Sequence, residues 1–268
     1  MLAHSFYFYC FVFFGAILAR YFIIAGGAYF LFYTFLGKYL TKRSLRRFPP
    51  LSGTIRQDIE LSFFSAIIFA VSGTLIISGY DLGTTLLYND LHKYGLWYLG
   101  VSFVAVLVLQ DTYFYFTHRM FHHPKLFKWT HYGHHRSGEP TPWSSFAFDP
   151  PEAIAQALFF GVIVFIIPLH FITLIAVLMV MTIWAVVNHL GFEVFPPSFK
   201  SHWLGKWFIS ATHHSIHHRQ YRLHYGLYFT FWDRLLGTQD PNYETGYCYQ
   251  KIIEIEAETQ RHGDAEIR

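Results

Sequence analysis

Long apolar runs restrict this chain of 268 residues to folds that can stand in a lipid bilayer. Three runs are almost wholly apolar: 6–36, 61–80 and 94–116. About 20 such residues are enough for a helix to cross the hydrocarbon core. Two shorter runs, 153–167 and 171–187, flank Pro168 and predict a tight hairpin that dips into the bilayer or crosses it. We therefore expect an all-α, polytopic membrane bundle with about four or five spans.

The composition agrees with a membrane protein. Hydrophobic residues make up 53% of the chain and charged residues only 14%, against about 25% charged in an average soluble domain. The net charge of +3 is small and its basic residues lie beside apolar runs, so we expect no nucleic-acid binding. Cys10 and Cys248 lie far apart, which argues against a disulfide framework or a thiolate metal site. A signal peptide is the alternative for the first run, but no basic segment precedes it.

Charge asymmetry orients the spans. The segment after the first apolar run carries five basic residues, which are Lys38, Lys42, Arg43, Arg46 and Arg47. The positive-inside rule places such a loop in the cytoplasm. From this loop the runs 61–80 and 94–116 are expected to cross the membrane and return, so that His118 lies at the cytoplasmic surface. The hairpin goes out and back, so His189 emerges on the same side. We therefore expect a helical, histidine-rich cap on the cytoplasmic face of the membrane.

Besides the isolated His170, thirteen of the 17 histidines lie in the stretch from His118 to His224, and imidazole is the commonest protein metal ligand. Three groups have helical spacing, namely His118, His122 and His123; His131, His134 and His135; and His214, His217 and His218. Residues at i, i+3 and i+4 share one face of a helix, so a triplet with that spacing is expected to turn toward one point. His123 lies further round its helix and is expected to reach a second metal. The donors outnumber the four ligands of a structural zinc site, which favours two adjacent ions.

Other polar residues have weaker cases. We interpret four isolated histidines as hydrogen-bonding residues at the membrane interface, namely His4, His92, His170 and His262. His202, His213 and His224 are open between a supporting and a structural role. Asp111 lies seven residues before His118, so both occupy one helix face. Its carboxylate can orient a ligating imidazole through the second nitrogen, or it can bond to a neighbouring helix.

Four motifs resemble those of the fatty acid hydroxylase and sterol desaturase superfamily: HRMFHHPKLFKWTHYGHH, PTPWSSFAFDPPE, NHLG and HHSIHHRQYRLHYGLYFTFWDRLLGT. The resemblance runs from about residue 111 to 238, and the stretch PTPWSSFAFDPPE followed by IPLH is most similar to the sterol desaturase branch. It implies a membrane enzyme with two iron ions held by histidines at the cytoplasmic surface. Such enzymes use O2 and two electrons to hydroxylate or desaturate a lipid C–H bond.

The resemblance assigns the candidate ligands. They are His118, His122, His123, His131, His134, His135, His189, His214, His217 and His218. Many relatives have a histidine where this chain has Asp149, so Asp149 is a candidate acceptor for a ligand N–H, and His213 is a further supporting candidate. Relatives tend to have Asn where His224 stands, which argues against a ligand role there. Trp232 and Asp233 are expected to be structural.

The chain has no GxGxxG motif after a strand, so electrons are expected from a separate carrier. The resemblance implies a b-type cytochrome or a ferredoxin with its reductase. We expect membrane helices over 1–95, a catalytic region over 96–240 that includes the hairpin 153–187, and a polar tail over 241–268. An endoplasmic reticulum membrane and a bacterial inner membrane both fit. The alternatives are a fatty acyl or alkylglycerol hydroxylase and, outside enzymes, a haem-binding membrane cytochrome or a metal transporter.

Overall fold

The computed structural model of the protein describes residues 5–243. In chain order its α-helices are α1 (Phe6–Tyr21), α2 (Gly27–Tyr29), α3 (Ser52–Asp81), α4 (Leu96–Phe121), α5 (Phe127–Thr130), α6 (Tyr132–His135), α7 (Pro150–Ile166), α8 (Phe171–Asn188), α9 (Ala211–Gln220) and α10 (Phe231–Leu235). The strands are β1 (Leu87–Tyr88) and β2 (Leu169–His170). His4, Cys248, His262 and most of the expected polar tail lie outside the described residues.

Four helical segments are long and apolar enough to cross a membrane: Phe6–Leu36, α3, α4 and α8. Helix α7 is apolar but has only 17 residues, and it forms with α8 the hairpin expected around Pro168. Large apolar side chains such as Phe11, Ile23 and Leu75 are exposed on the spans, as lipid contact requires. The expectation of an all-α bundle with several membrane spans is confirmed.

The first span changes its helical type along its length. It is α-helical from Phe6 to Tyr21 and continues through π-helical turns at Phe22–Gly26 and Phe30–Leu36. Such turns are rare and occur where packing or function constrains a helix. Here Trp143 packs so closely on the helix that a Cβ atom at Gly26 would lie 2.9 Å from its indole ring. The Tyr21 hydroxyl donates to the Trp143 carbonyl at 2.7 Å, so this contact fixes the first span against the histidine-rich region.

The two ends of the bundle are built differently. At one end β1 pairs with β2 in parallel, so that the loop after α3 is joined to the tip of the α7–α8 hairpin. His170 belongs to this pair, and its ring is within 3.0 Å of the Asn89 carbonyl. At the other end the guanidinium group of Arg46 donates to the carbonyls of Glu139 and Pro140, both at 2.7 Å. The basic segment after the first span therefore lies at the histidine-rich end, as the charge pattern predicts.

The contact between the first span and Trp143 can be tested with a pair of adjacent glycines. Gly26→Val should destabilise the protein by about 1–3 kcal/mol, because the added side chain overpacks against the indole ring. Gly27→Val is the matched control, since a Cβ atom at Gly27 meets nothing within 4 Å. Thermal unfolding in detergent measures both variants, and equal melting temperatures would contradict the packing described here.

Candidate metal centre

Nine imidazoles form two groups at the basic end of the bundle. The first group contains His118, His122, His131, His135 and His217. The second group contains His134, His189, His214 and His218. Within each group the candidate donor nitrogens all lie within 4.8 Å of one another. Eight of the nine side chains are buried and His122 is half-buried.

The local helices decide which group each histidine joins. On α9, His214 and His218 are one turn apart and join the second group, whereas His217 lies on another side of the helix and joins the first. The same division separates His134 from its neighbours His131 and His135 around α6. The expectation that each triplet turns toward one point therefore differs from the structure. In all three triplets the pair at i and i+4 stays together. The third member joins the other group in two of them, as His134 and His217 do, whereas His123 joins neither group.

The spacing of the nitrogens fits metal coordination. The Nε2 atoms of His118 and His131 are 3.0 Å apart, and those of His135 and His217 are 3.1 Å apart. In the second group, His189 Nε2 lies 3.2 Å from that of His134 and 3.0 Å from that of His214. Two ligands at right angles around an ion, each about 2.1 Å away, would be about 3.0 Å apart.

Hydrogen bonds at Nδ1 show whether the short contacts between Nε2 atoms are hydrogen bonds. His134 Nδ1 lies 3.2 Å from the Ala147 carbonyl, and His189 Nδ1 lies 2.7 Å from the Ala185 carbonyl. A carbonyl oxygen only accepts, so both Nδ1 atoms carry the proton and both Nε2 atoms present a lone pair. Two lone pairs then face each other without a proton between them. A cation between them would offset this repulsion, so the residues fit a bound metal.

Burial keeps these rings in the form that binds a metal. Desolvation lowers the pKa of His134 to about 4 and, with the charges of neighbouring histidines, lowers the pKa of His122 to about 2. The pKa of His131 is also held well below its usual value by burial. All three imidazoles are therefore neutral near pH 7. Neutral imidazole can coordinate an ion without first losing a proton.

Glu152 is a supporting residue that the sequence analysis missed. Its Oε2 lies 2.7 Å from His131 Nδ1, and each of the two side chains is only 1% exposed. A carboxylate that accepts the second N–H of a ligating histidine fixes the ring and raises its basicity. The available signal was an acidic residue at the start of a long apolar run, directly after Pro150 and Pro151.

Asp111 and Asp149 support the backbone near the candidate ligands. Asp111 Oδ1 accepts hydrogen bonds from three successive backbone N–H groups, those of Leu227, Tyr228 and Phe229. Asp111 is buried like His118 on α4, but its partners are not imidazoles. Asp149 Oδ2 accepts from the backbone N–H of Gly133 at 2.6 Å. Both carboxylates thus hold segments that carry or support the two groups, instead of orienting a ring as expected.

Asp233 has the structural role expected of the WD pair. Its carboxylate accepts from the backbone N–H groups of Tyr225 at 2.8 Å and Gly226 at 3.0 Å. The Tyr225 carbonyl in turn lies 2.9 Å from His118 Nδ1. Burial raises the pKa of Asp233 to about 6. This carboxylate therefore positions the acceptor that orients His118.

Four histidines of the rich segment lie outside both groups. His123 is exposed, and its Nδ1 accepts from the backbone N–H of Lys125 at 3.3 Å; the helix ends before it, so its ring faces away from the centre. His202 is likewise exposed. His213 and His224 are buried with their rings 4.9 Å apart, and each accepts a backbone N–H, from Ser210 and Asp240 respectively. These contacts suit a structural role.

An apolar cavity of about 500 Å³ lies one layer of aromatic rings away from both groups. The ring of Phe114 in its wall lies 4.9 Å from that of His118. The ring of Phe148 stacks on His134 with centroids 5.7 Å apart. From Ala185, the cavity follows α8 to Phe171, a length of about 21 Å at 1.5 Å per residue. The site can therefore hold a long apolar molecule beside the candidate metal centre.

Comparison with known proteins gives the family. Residues 103–238, about half of the chain, match the fatty acid hydroxylase family. The chain belongs to the fatty acid hydroxylase family. Its relatives include a Delta(7)-sterol 5(6)-desaturase of Gibberella zeae, 31% identical over 70% of this chain and 57% of that protein. No solved structure matches the chain.

Two further relatives of this fatty acid hydroxylase family member are matched over more of their length. A Delta(7)-sterol 5(6)-desaturase of Aspergillus fumigatus is 30% identical over 78% of this chain and 71% of that protein. Human lathosterol oxidase is 31% identical over 79% of this chain and 71% of that protein. The resemblance to the sterol desaturase branch is thereby confirmed, and an integral membrane location fits both the relatives and the four spans.

Removing one candidate ligand tests whether the second group of histidines binds metal. His134→Ala leaves three imidazoles in the second group and should lower the amount of metal bound per chain, by about half if each group holds one ion. His123→Ala is the control, because this neighbouring ring is exposed and outside both groups. Elemental analysis of purified protein measures the metal, and insertion into membranes checks folding. Unchanged metal in His134→Ala would contradict the assignment.

Glu152→Gln should test the support of His131 by a carboxylate. The variant retains a hydrogen-bond acceptor but loses the charge, and the loss of such support typically weakens metal binding about 10- to 100-fold. Competition with a chelator measures the affinity. Glu60→Gln is the control, because Glu60 is exposed and forms an ion pair with Arg56. This variant should bind metal like the unaltered protein. Equal affinity in the two variants would remove Glu152 from the site.

Proposed function

We propose that the protein is a membrane-bound oxidoreductase that hydroxylates or desaturates a C–H bond of a sterol-like or other long apolar lipid. Two iron ions in the two histidine groups, O2 and an external electron donor complete the proposed system. The single observation that carries the proposal is the apolar cavity whose wall residues Phe114 and Phe148 pack against His118 of one group and His134 of the other. A metal site whose imidazole ligands are neutral, beside a cavity of lipid size, suits oxidation of an unactivated carbon.

The cavity supports a lipid substrate by its size and its walls. A volume of about 500 Å³ lies within the range of roughly 300–1,000 Å³ that ligand cavities occupy. Its walls come mainly from α1, α3, α4, α7 and α8, and all of these helices except α7 belong to candidate spans. A lipid could thus enter from the bilayer without crossing water. The relatives named above, two sterol desaturases and a lathosterol oxidase, favour a sterol-like molecule.

The side chains of the site divide the work of such a reaction. Bound iron would supply the activation of O2 and the abstraction of hydrogen. Five of the imidazoles keep their Nε2 lone pairs directed inward, because their Nδ1 protons are held by the carbonyls of Tyr225, Ala147, Ala185 and Leu223 and, at His131, by the Glu152 carboxylate. Phe114 and Phe148 form an apolar wall between these rings and the cavity, which limits water at the reacting carbon.

We place the reaction on the cytoplasmic face of the membrane. The basic segment after the first span lies at the same end as both histidine groups, and such segments favour the cytoplasm. A soluble electron carrier can reach that face, and a b-type cytochrome or a ferredoxin with its reductase fits this role. A haem site would use single axial ligands on opposing helices, whereas here several imidazoles lie about 3 Å apart around each of two points.

Lipid mass spectrometry of cells with and without the gene tests the proposed function. Hydroxylation would add one oxygen to a lipid, and desaturation would remove two hydrogens from it. Cells that produce His134→Ala are the control, because this variant should insert into the membrane without forming the product. A change in fatty acyl or alkylglycerol lipids instead of sterols would favour that alternative substrate. No lipid change in any comparison would contradict an oxidoreductase function.

A further inference from the structure

Arg20 places a charged side chain in the wall of the apolar cavity. It belongs to the first span, Phe6–Leu36, and its Nε atom is buried without a hydrogen-bond partner. No acidic side chain within residues 5–243 forms an ion pair with it. A charged residue inside a membrane segment is costly and usually has a functional partner. Within this part of the chain, Arg20 lacks one.

Gln156 presents a second unsatisfied donor to the same cavity. Its Nε2 atom is buried without a partner, and the residue lines the cavity from α7. The remaining wall is mostly aromatic and aliphatic, and the hydroxyl of Ser145 already donates to the Pro142 carbonyl at 2.7 Å. Buried N–H groups are nearly always paired in native proteins. A ligand with acceptor oxygens would satisfy both donors.

Arg20 lies toward the metal end of the cavity. Its guanidinium carbon is 5.6 Å from the centre of the Phe146 ring. The Phe146 and Phe148 centroids are 6.4 Å apart, and Phe148 stacks on His134. Two aromatic rings therefore separate Arg20 from a candidate metal ligand. Phe171, at the other end of the cavity, lies a whole helix away from His189.

The contact with Phe146 does not account for the guanidinium group by itself. A cation over a ring is attracted to the π face, but that contact leaves the N–H groups without acceptors. A purely structural arginine would donate to a carboxylate or to backbone carbonyls, as Arg46 and Arg219 do. Arg20 makes no such bond within residues 5–243. Its donors are free for a molecule in the cavity.

We propose that Arg20, assisted by Gln156, binds an acceptor oxygen of the lipid in the cavity, a hydroxyl or a carboxylate. The oxygen is held near the metal end, and the apolar body extends along α8 toward Phe171. Arg20 is thus a positioning residue that selects which carbon faces the metal centre, a consequence that rests on the proposed function. The binding of the oxygen itself does not depend on that function.

Binding of matched lipids to the purified protein, without an electron donor, tests the proposal. Cholesterol and cholest-5-ene differ only in the hydroxyl group, and palmitic acid and hexadecane differ only in the oxidised end. The unaltered protein in nanodiscs should bind at least one oxygen-bearing probe more tightly than its partner. Arg20→Met should reduce that preference about 10- to 100-fold, because a charged hydrogen bond is lost. Which pair responds identifies the oxygen as hydroxyl or carboxylate.

Three further variants separate positioning from a structural role. Arg20→Lys keeps the charge and should retain part of the preference, and Gln156→Leu should reduce it less than Arg20→Met does. Arg56→Met is the matched control, because Arg56 is exposed and pairs with Glu60, and it should leave the preference unchanged. Without ligand, Arg20→Met should unfold at the same or a higher temperature, since an unpaired buried charge has been removed.

Three outcomes would overturn the proposal. They are an unchanged preference in Arg20→Met, no preference in the unaltered protein for either pair, and a lower unfolding temperature of ligand-free Arg20→Met. None of these measurements requires metal or turnover. If the protein shows the binding preference but changes no lipid in cells, the proposed function is wrong and the Arg20 site stands. If it changes a lipid in cells but shows no binding preference, the proposed function stands and the Arg20 site is wrong.

Discussion

The crowding of nine imidazoles around two points is the constraint on which the rest of this structure depends. Rings that are neutral and buried repel one another when their Nε2 atoms lie 3.0–3.2 Å apart. Five of the nine rings are held against this repulsion by a hydrogen bond at Nδ1. The holding bonds run from Nδ1 to carbonyls at Tyr225, Ala185 and Ala147 and to the Glu152 carboxylate. Each of them fixes a tautomer as well as a ring orientation.

These acceptors come from separate parts of the chain, so the site connects the membrane helices to the cap. Ala185 lies in the last turn of α8 and Glu152 in the first turn of α7, whereas Tyr225 lies beyond α9. The Tyr225 segment has no regular structure of its own and is held by Asp233, and the next residues are held by Asp111 from within α4. Carboxylates that touch no ligand thus act on the centre through backbone.

Much of this arrangement could be predicted from the sequence because its determinants are local. Apolar runs predict the spans, and the spacing of His214, His217 and His218 predicts a helix that presents imidazoles. Which centre each ring joins depends on how α6 and α9 face each other, and no local pattern contains that information. The same limit explains why the role of Glu152 and the outward position of His123 could not be predicted. Glu152 meets His131 only through the packing of α7, and His123 turns outward because α4 ends just before it.

The division of labour along the chain follows from where the ligands lie. Every candidate ligand and every residue that supports one falls within residues 103–238, the part shared with the family. The first span contributes no ligand, yet it forms one wall of the cavity and carries Arg20. Substitutions in that span can change the shape and polarity of the cavity without disturbing a single imidazole. In the proposed reaction the imidazoles carry the chemistry, whereas the choice of lipid is shared between the first span and wall residues of the other helices, Gln156 among them. The first span and α3 form the part of this wall that lies outside residues 103–238, so substitutions there can change which lipid fits the cavity while the imidazoles stay in place.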